Sequence, residues 1–311
     1  ISAAIAMTIA RVIQGLSMGG ALTGASSFLI EHSPKHKRGF MGSTSMASLC
    51  VGVLMSSLVI YITQYILGDA MFVEWGWRIP FLLGFLVIYP SIYIKNHTAE
   101  TPIFIEAEAN NQLAQHPLTE VLSKYKFRIL LSIFINSTGS VIFYLLAIYL
   151  VNYLKLRFPE SLDAVYLIAN MSFVLMIFVT LLSGFISDQI GRAKLYFANL
   201  ICIIVSSNYI MHILEFGDLS SISVVMLMLA IMAACYIGPE PALQAALYPA
   251  KIRNTSLSLS YNIATTLFGG TTPYFIGLMS LHYGGIAVIS YYIIACAMMS
   301  LSAIYIMRKK I

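Results

Sequence analysis

Charged side chains are scarce in this sequence of 311 residues: 10% are Asp, Glu, Lys or Arg, and 59% are hydrophobic. A soluble domain carries about 25% charged residues, so the composition excludes an ordinary soluble protein. The mean hydropathy is +0.83, and the few charges gather at the ends of long apolar runs. Proteins whose helices cross a bilayer have this pattern, and the sequence therefore predicts an all-α, polytopic membrane protein.

Cysteine is also rare, and its four copies lie far apart inside apolar runs, at Cys50, Cys202, Cys235 and Cys296. No two of them have the close spacing of a metal-binding or redox motif. We interpret them as buried structural thiols and expect no metal site and no cofactor.

Nine apolar runs are candidates for transmembrane helices, since about 20 apolar residues cross the bilayer core. They cover residues 1–30, 40–67, 79–94, 129–151, 163–187, 195–214, 221–247, 255–281 and 286–307. Fourteen Lys and Arg residues lie in one set of connections and the C-terminal tail, against three in the opposite set. The positive-inside rule predicts that the basic side and the C-terminus are cytoplasmic. The net charge of +5 then reflects topology and not nucleic-acid binding.

Two segments of the chain are related by a repeat with an offset of 215 residues. Glu31-His-Ser-Pro34-Lys-His-Lys-Arg38 is matched by Ala246-Leu-Tyr-Pro249-Ala-Lys-Ile-Arg253, and a Ser/Thr-rich run follows each. Parallel repeats of this kind are typical of carriers built from two related halves. Because Ile1 already lies inside an apolar run and no signal peptide precedes it, we expect about three further helices upstream.

The most informative motif is Gly184-Phe-Ile-Ser-Asp188-Gln-Ile-Gly191-Arg192, a charged turn between two apolar runs. The glycines permit close packing and a tight bend. We expect Asp188 to face the positive N-terminal end of the helix that follows. We expect Arg192 to pair with a carboxylate or with helix C-terminal carbonyls. A plain topogenic loop is the alternative interpretation.

A second motif, Arg11-Val-Ile-Gln14-Gly15-Leu-Ser-Met-Gly19-Gly20, places a charge inside an apolar run. Burying Arg at the bilayer centre costs roughly 2.5–3.5 kcal/mol, so Arg11 either lines a solute cavity with Gln14 or extends to the interface. The run also matches GxSxG around Ser17, a pattern of serine nucleophiles. The glycines are explained by helix packing and no histidine is expected in reach, so we predict no catalytic residue and no enzyme.

Together with WGWRIPF (Trp75–Phe81), AETPIF (Ala99–Phe104) and SYNIATTLFGGTTP (Ser260–Pro273), these motifs resemble the metabolite:proton symporter family of the major facilitator superfamily. This family includes carriers for proline and glycine betaine, 2-oxoglutarate, citrate and shikimate. The similarity is greatest to the proline/betaine type, mainly through EHSPKHKRGFMGS.

The resemblance implies a major facilitator fold in which the nine runs are helices four to twelve of twelve. Residues 1–94 then form the remainder of an N-terminal bundle, 95–128 a cytoplasmic linker with a surface helix around Phe104–Leu113, and 129–311 a six-helix bundle. The implied protein is a monomer in the inner membrane. It moves a small polar organic solute with protons by alternating access, and the Gly184–Arg192 turn acts as a cytoplasmic latch.

Two departures bear on proton coupling. Many family members carry an acid where this chain has Ala21, and another where it has Ala246. Only one acid lies well inside a predicted span: Glu240, between Pro239 and Pro241. It is either a relocated proton site or a solvated group near a helix end. A uniporter, a dicarboxylate carrier and an inactive remnant are therefore alternatives to a proton symporter.

Other polar residues inside the spans are candidates for the solute site. Asn262 precedes a glycine-rich interruption of its run, and such interruptions expose backbone groups to a substrate. Tyr144 is a candidate because aromatic rings attract quaternary ammonium groups. The complete set of candidates comprises Arg11, Gln14, Asn136, Tyr144, Asn170, Glu240 and Asn262 for solute and coupling, and Glu31, Arg38 and Arg253 for the repeated loop.

Overall fold

The structure is a computed structural model that describes residues 2–98, 100–101, 105–106, 109, 116–283, 285 and 289–308. All regular elements in this part of the chain are helical, which confirms the predicted all-α class. The α-helices are α1 (Ser2–Met18), α2 (Ala21–Glu31), α3 (Arg38–Met71), α4 (Arg78–Leu83), α5 (Ile88–His97), α6 (Pro117–Lys124), α7 (Lys126–Tyr144), α8 (Leu150–Arg157), α9 (Leu162–Ile190), α10 (Arg192–Phe216), α11 (Leu219–Ile237), α12 (Glu240–Ala245), α13 (Ala250–Ala264), α14 (Thr272–Tyr283) and α15 (Ile289–Met307).

Six helical segments within the described ranges are long and apolar enough to cross a membrane. They are Lys35–Gly76, Lys126–Arg157, Pro159–Ile190, Arg192–Phe216, Leu219–Ala245 and Ile289–Met307. The first, third and eighth predicted runs are instead divided into shorter helices. The divisions fall at Gly19-Gly20, at a 3₁₀ segment over Gly84–Val87 and at a π-helical segment over Thr265–Gly270. The predicted surface helix around Phe104–Leu113 lies outside the described residues, apart from isolated positions.

Serine and threonine are tolerated in these apolar helices because their hydroxyls bond to the carbonyls of the preceding turn. Ser26 donates to Leu22 O at 2.9 Å, Ser45 to Gly42 O at 2.7 Å and Ser260 to Ser256 O at 2.8 Å. The O–H groups of these three serines are thereby satisfied without water, which the bilayer core does not supply.

The long helix α3 packs directly against α9, and α9 packs in turn against α11. Small residues make the α3–α9 contact close: a Cβ atom added to Gly39 would lie 2.7 Å from the Gly184 carbonyl oxygen. On the other side of the bundle α7 packs against α13 and α15, and α13 also contacts α2. The helices before residue 98 (the N-terminal helices) and those after residue 126 (the C-terminal helices) therefore meet along α3–α9 and α2–α13.

The two copies of the repeat begin helices in the same way. Pro34 has φ −54° and ψ 144°, and Pro249 has φ −64° and ψ 152°. Arg38 then begins α3, and Arg253 lies in the first turn of α13. Both copies lie at the end of the bundle that carries most of the lysines and arginines, here called the basic end.

Candidate solute site and the contacts that close the basic end

Glu240 lies at an interruption between two helices, and its two neighbouring prolines explain this interruption. Helix α11 ends at Ile237, and α12 begins at Glu240. Proline lacks a backbone N–H and cannot continue the hydrogen-bond ladder of a helix. The Glu240 side chain is enclosed, with 5% of its surface exposed. Glu240 thus lies at a helix end, as one of the two interpretations of the sequence expects, but it is buried and not solvated.

Glu240 contributes to the walls of two adjoining cavities, the larger with a volume of about 100 Å³. Tyr144 and Tyr261 line the larger cavity, and Asn136 and Tyr261 line the smaller one. Tyr144 fits there because residue 269 is glycine: a Cβ atom at Gly269 would lie 2.8 Å from the ring. Three of the predicted solute residues, namely Asn136, Tyr144 and Glu240, thus line these two adjoining cavities.

The chemistry of this space is that of an acid among aromatic and amide groups. None of the described residues that line the two cavities is Lys or Arg. Within the described part of the chain, no hydrogen bond or ion pair to the Glu240 carboxyl is found. Burying an unpaired carboxylate is costly, so a proton or a cationic ligand has to neutralise Glu240 in this position.

Two buried amides lie beside this acid and share one acceptor. The amide nitrogens of Asn136 and Gln244 donate to the carbonyl oxygen of Ser132, at 3.0 Å and 3.4 Å. Their side-chain oxygens are buried and have no hydrogen-bond partner in the part of the chain that the structure describes. Gln244 was not among the residues predicted from the sequence. The available signal for Gln244 was an amide one helical turn beyond the acid, on the same face.

The remaining predicted solute residues lie elsewhere. Arg11 is exposed on α1 and donates a hydrogen bond to Gln14 at 2.8 Å, and neither residue lines the two Glu240 cavities. Asn262 donates to Gly19 O at 2.5 Å and to Ser258 O at 2.7 Å. It therefore joins α13 to the break between α1 and α2. Asn170 lines a separate cavity near the opposite end of α9.

Asp188 holds the start of α3. Its carboxylate oxygens accept hydrogen bonds from the backbone N–H groups of Gly39 at 2.7 Å and Phe40 at 2.9 Å. Free N–H groups at a helix N-terminus and the helix dipole both favour such a carboxylate. The predicted position was wrong in two respects: Asp188 lies within the last turn of α9, and it binds the N-terminus of α3 and not that of α10.

Gly191 and Arg192 lie next to Asp188, where α9 ends and α10 begins. Gly191 has a φ of 96°, a left-handed conformation that glycine adopts without steric cost, and the bend separates α9 from α10. Arg192 donates to Asp188 at 3.2 Å and to the carbonyl oxygen of Ala242 at 3.2 Å. It thus makes both kinds of contact that the sequence predicts, and it links α9 to α12.

A second link between the N-terminal and C-terminal helices lies nearby. Glu31, the last residue of α2, forms an ion pair with Arg253 of α13 at 2.6 Å, and the side chains are only 12% and 15% exposed. The other Glu31 oxygen accepts a hydrogen bond from Thr101 at 2.7 Å. Arg253 also donates to Ala245 O at 3.1 Å. Together with the Asp188 bonds to α3, this pair forms what we call the closing contacts.

Residues 1–273 match the profile of the Major Facilitator Superfamily, which is most of the chain. The chain belongs to the Major Facilitator Superfamily. This membership confirms the resemblance drawn from the motifs and identifies a multi-pass membrane protein of a transporter family.

The sequence of this chain is also similar to those of individual proteins that are named as transporters. The chain is 31% identical over 280 residues to the proline/betaine transporter of Escherichia coli K12, covering 87% of this chain and 56% of that protein. It is 29% identical over 282 residues to the glycine betaine/proline/ectoine/pipecolic acid transporter OusA of Dickeya dadantii, again covering 87% of this chain and 56% of that protein. The chain thus spans little more than half the length of these relatives.

The fold itself matches a solved member of the superfamily. The proton:xylose symporter XylE, bound to 6-bromo-6-deoxy-D-glucose, superposes with a TM-score of 0.65 at 20% identity. The match covers 97% of this chain and 70% of that structure. At this identity the similarity concerns the fold alone.

Proposed function

We propose that this protein is a secondary active transporter that moves a zwitterionic osmolyte of the proline or glycine betaine kind across the inner membrane by proton symport. The observation that carries the proposal is the enclosed Glu240 carboxyl, which has no partner among the described residues and lies in a cavity with Tyr144 and Tyr261. The names of the relatives support the solute class. Aromatic faces attract quaternary ammonium groups, which supports it further.

In this proposal residues 1–94 and 129–311 form two bundles that rock about the solute cavity, and 95–128 links them on the cytoplasmic side. The basic end, including the C-terminus, is the cytoplasmic side. The closing contacts are the latch: they hold the basic end shut in one access state and separate in the other. Because these contacts join α2 and α3 to α9 and α13, breaking them frees the two bundles to move.

Glu240 is the proposed proton carrier. A carboxylate without a partner in an apolar cavity opposes the passage of that cavity through the closed intermediate. Protonation removes the charge, so the cavity reorients most readily when a proton and the solute are both bound. The absence of acids at Ala21 and Ala246 leaves Glu240 as the acid within the described spans that faces this cavity.

The alternatives make different demands on the site. A dicarboxylate carrier needs basic side chains around its solute, whereas the described cavity walls contain none. A uniporter has no use for a buried acid, and its uptake does not depend on a proton gradient.

The test is uptake of labelled proline and glycine betaine into proteoliposomes that contain the purified protein, with an imposed pH gradient. We expect accumulation above the external concentration, and an uncoupler abolishes it. Uptake that only equilibrates the solute, with or without uncoupler, identifies a uniporter. No uptake above protein-free vesicles overturns the assignment to these solutes.

A further inference from the structure

A second and larger cavity lies at the end of the bundle opposite the basic end. Its volume is about 730 Å³, within the usual range of small-molecule sites, roughly 300–1,000 Å³. None of the described residues that line it also lines the Glu240 cavities. Its walls come from the end of α3, which supplies Tyr61, Gln64 and Asp69, and from α8 and α9, which supply Lys155, Asp163 and Tyr166. We call it the outer vestibule.

The vestibule contains charges of both signs that are not paired with one another. Lys155 forms no ion pair with Asp69 or Asp163, and Asp163 has no ion-pair partner among the residues that the structure describes. Asp69 accepts a hydrogen bond from Gln64 at 2.6 Å. Opposite charges that face one cavity but do not neutralise each other can bind a ligand that carries both charges.

One tyrosine ring of the vestibule already contacts a cation, the ammonium group of Lys155. The Lys155 ammonium lies 4.5 Å from the centre of the Tyr166 ring, within the distance of about 6 Å at which a ring face attracts a cation. Across the cavity, the rings of Tyr61 and Tyr65 stack with their centres 6.4 Å apart. A quaternary ammonium donates no hydrogen bonds, so ring faces and carboxylates are the groups that suit it.

We propose that the outer vestibule is a second, weaker binding site for zwitterionic solutes, occupied before the solute reaches Glu240. The solute ammonium lies between Asp163 and the Tyr166 ring. The solute carboxylate binds the Lys155 ammonium, which turns away from the ring. This inference rests on the proposed function for the identity of the solute, but the vestibule is a separate site with its own residues.

The test combines equilibrium binding of labelled glycine betaine to the purified protein with initial rates of uptake into proteoliposomes. Loss of one charge-assisted contact weakens binding by about tenfold. We therefore expect Lys155→Gln and Asp163→Asn each to raise the half-saturation concentration of uptake about tenfold, to leave the maximal rate unchanged and to remove a weaker class of binding sites. The matched control is Glu160→Gln, which changes an exposed acid near Asp163 that does not line the vestibule.

Choline separates the two ends of the proposed site, because it has the quaternary ammonium but no carboxylate. Asp163→Asn should weaken choline binding at the vestibule, whereas Lys155→Gln should not. If both variants bind and take up glycine betaine like the wild type, the vestibule is overturned and the proposed function stands. If the wild type shows Asp163-dependent binding but no uptake, the vestibule stands and transport is overturned. If the wild type shows neither binding nor uptake, both the vestibule and the proposed function are overturned.

Discussion

The Glu31 carboxylate lies 2.6 Å from the Arg253 guanidinium, although 222 residues separate them. Glu31 belongs to the first copy of the repeat and Arg253 to the second, so the pair crosses between the copies. The offset of 215 residues equates Arg253 with Arg38 and Glu31 with Ala246. A symmetric arrangement therefore has a second pair between Arg38 and residue 246, and alanine at 246 removes it. The buried Nε of Arg38 has no hydrogen-bond partner among the described residues, which fits the absence of an acid at residue 246.

An acid at residue 246 should restore the missing pair with Arg38. We expect Ala246→Glu, at an exposed position, to pair with Arg38 and to stabilise the closed basic end by about 0.2–1 kcal/mol, the usual range of a partly exposed ion pair. Thermal unfolding of the purified protein measures the gain. The gain should vanish when Arg38→Gln is combined with Ala246→Glu. An equal gain in that background would show that Arg38 is not the partner.

The bonds from Asp188 to α3 predict a local effect of Asp188→Asn. An amide nitrogen cannot accept from Gly39 N–H, Phe40 N–H or Arg192, so at least one donor at this buried corner loses its partner, at a cost of about 1–3 kcal/mol. Hydrogen exchange of the amides at residues 39–42 should become faster.

Asp218→Asn is the matched control for that exchange measurement. Asp218 also accepts a hydrogen bond from a helix N-terminus, that of Ser221 at 3.4 Å, but the helix is its own and lies at the opposite end. This variant should speed exchange at the start of α11 and leave α3 unchanged. Unchanged exchange of α3 in Asp188→Asn would contradict the role of Asp188 in holding the two sets of helices together.

Close packing of α3 on α9 predicts that Gly39→Ala destabilises the protein. The added Cβ atom would lie 2.7 Å from both Asp188 Oδ1 and the Gly184 carbonyl oxygen, and such overpacking costs about 1–3 kcal/mol. Gly52→Ala on the same helix is the control, because no atom of the described residues lies within 4 Å of its Cβ position. Thermal unfolding should distinguish the two variants, and equal midpoints would show that the α3–α9 contact adjusts freely.

The pair of Glu120 on α6 and Lys251 on α13 predicts a pH dependence. The hydrogen bond from Lys251, at 2.7 Å, lowers the pKa of Glu120 below its ordinary value of 4.5, and the same bond raises the pKa of Lys251 above 10.5. The attachment of α6 to α13 is therefore at full strength between these ordinary values. It weakens as the pH falls below about 4.5, through the lowered pKa of Glu120.

Hydrogen exchange of the α6 amides as a function of pH, after correction for the intrinsic exchange rate, measures this attachment. Acid should speed exchange in the wild type and have little effect in Glu120→Gln, which has no carboxylate to protonate. High salt should reduce the difference between the two proteins, because the pair is near the surface. An acid response that persists in Glu120→Gln would assign it to another group.

The sequence predicts the helices well because apolar length and the positions of Lys and Arg are themselves the physical requirements for crossing a bilayer. The sequence also predicts the bend at Gly191, because this bend depends on the local backbone conformation that glycine permits. The partner of Asp188 was assigned wrongly because helix-end rules apply to neighbours in the chain, whereas Gly39 lies 149 residues away. Gln244 and the Lys155–Tyr166 contact depend on which helix faces are opposed, and apolar patterning does not determine this for helices that are apolar all round.

The most direct test of the account is a comparison of wild-type protein with Glu240→Gln in proteoliposomes, using one solute and two assays. Exchange of labelled for unlabelled glycine betaine needs the solute cavity and the latch but no net proton movement. Accumulation against a gradient needs both proton binding and release. We expect Glu240→Gln to retain exchange and to lose accumulation driven by a pH gradient. Accumulation at the wild-type level in Glu240→Gln would contradict the role of Glu240 as the proton carrier.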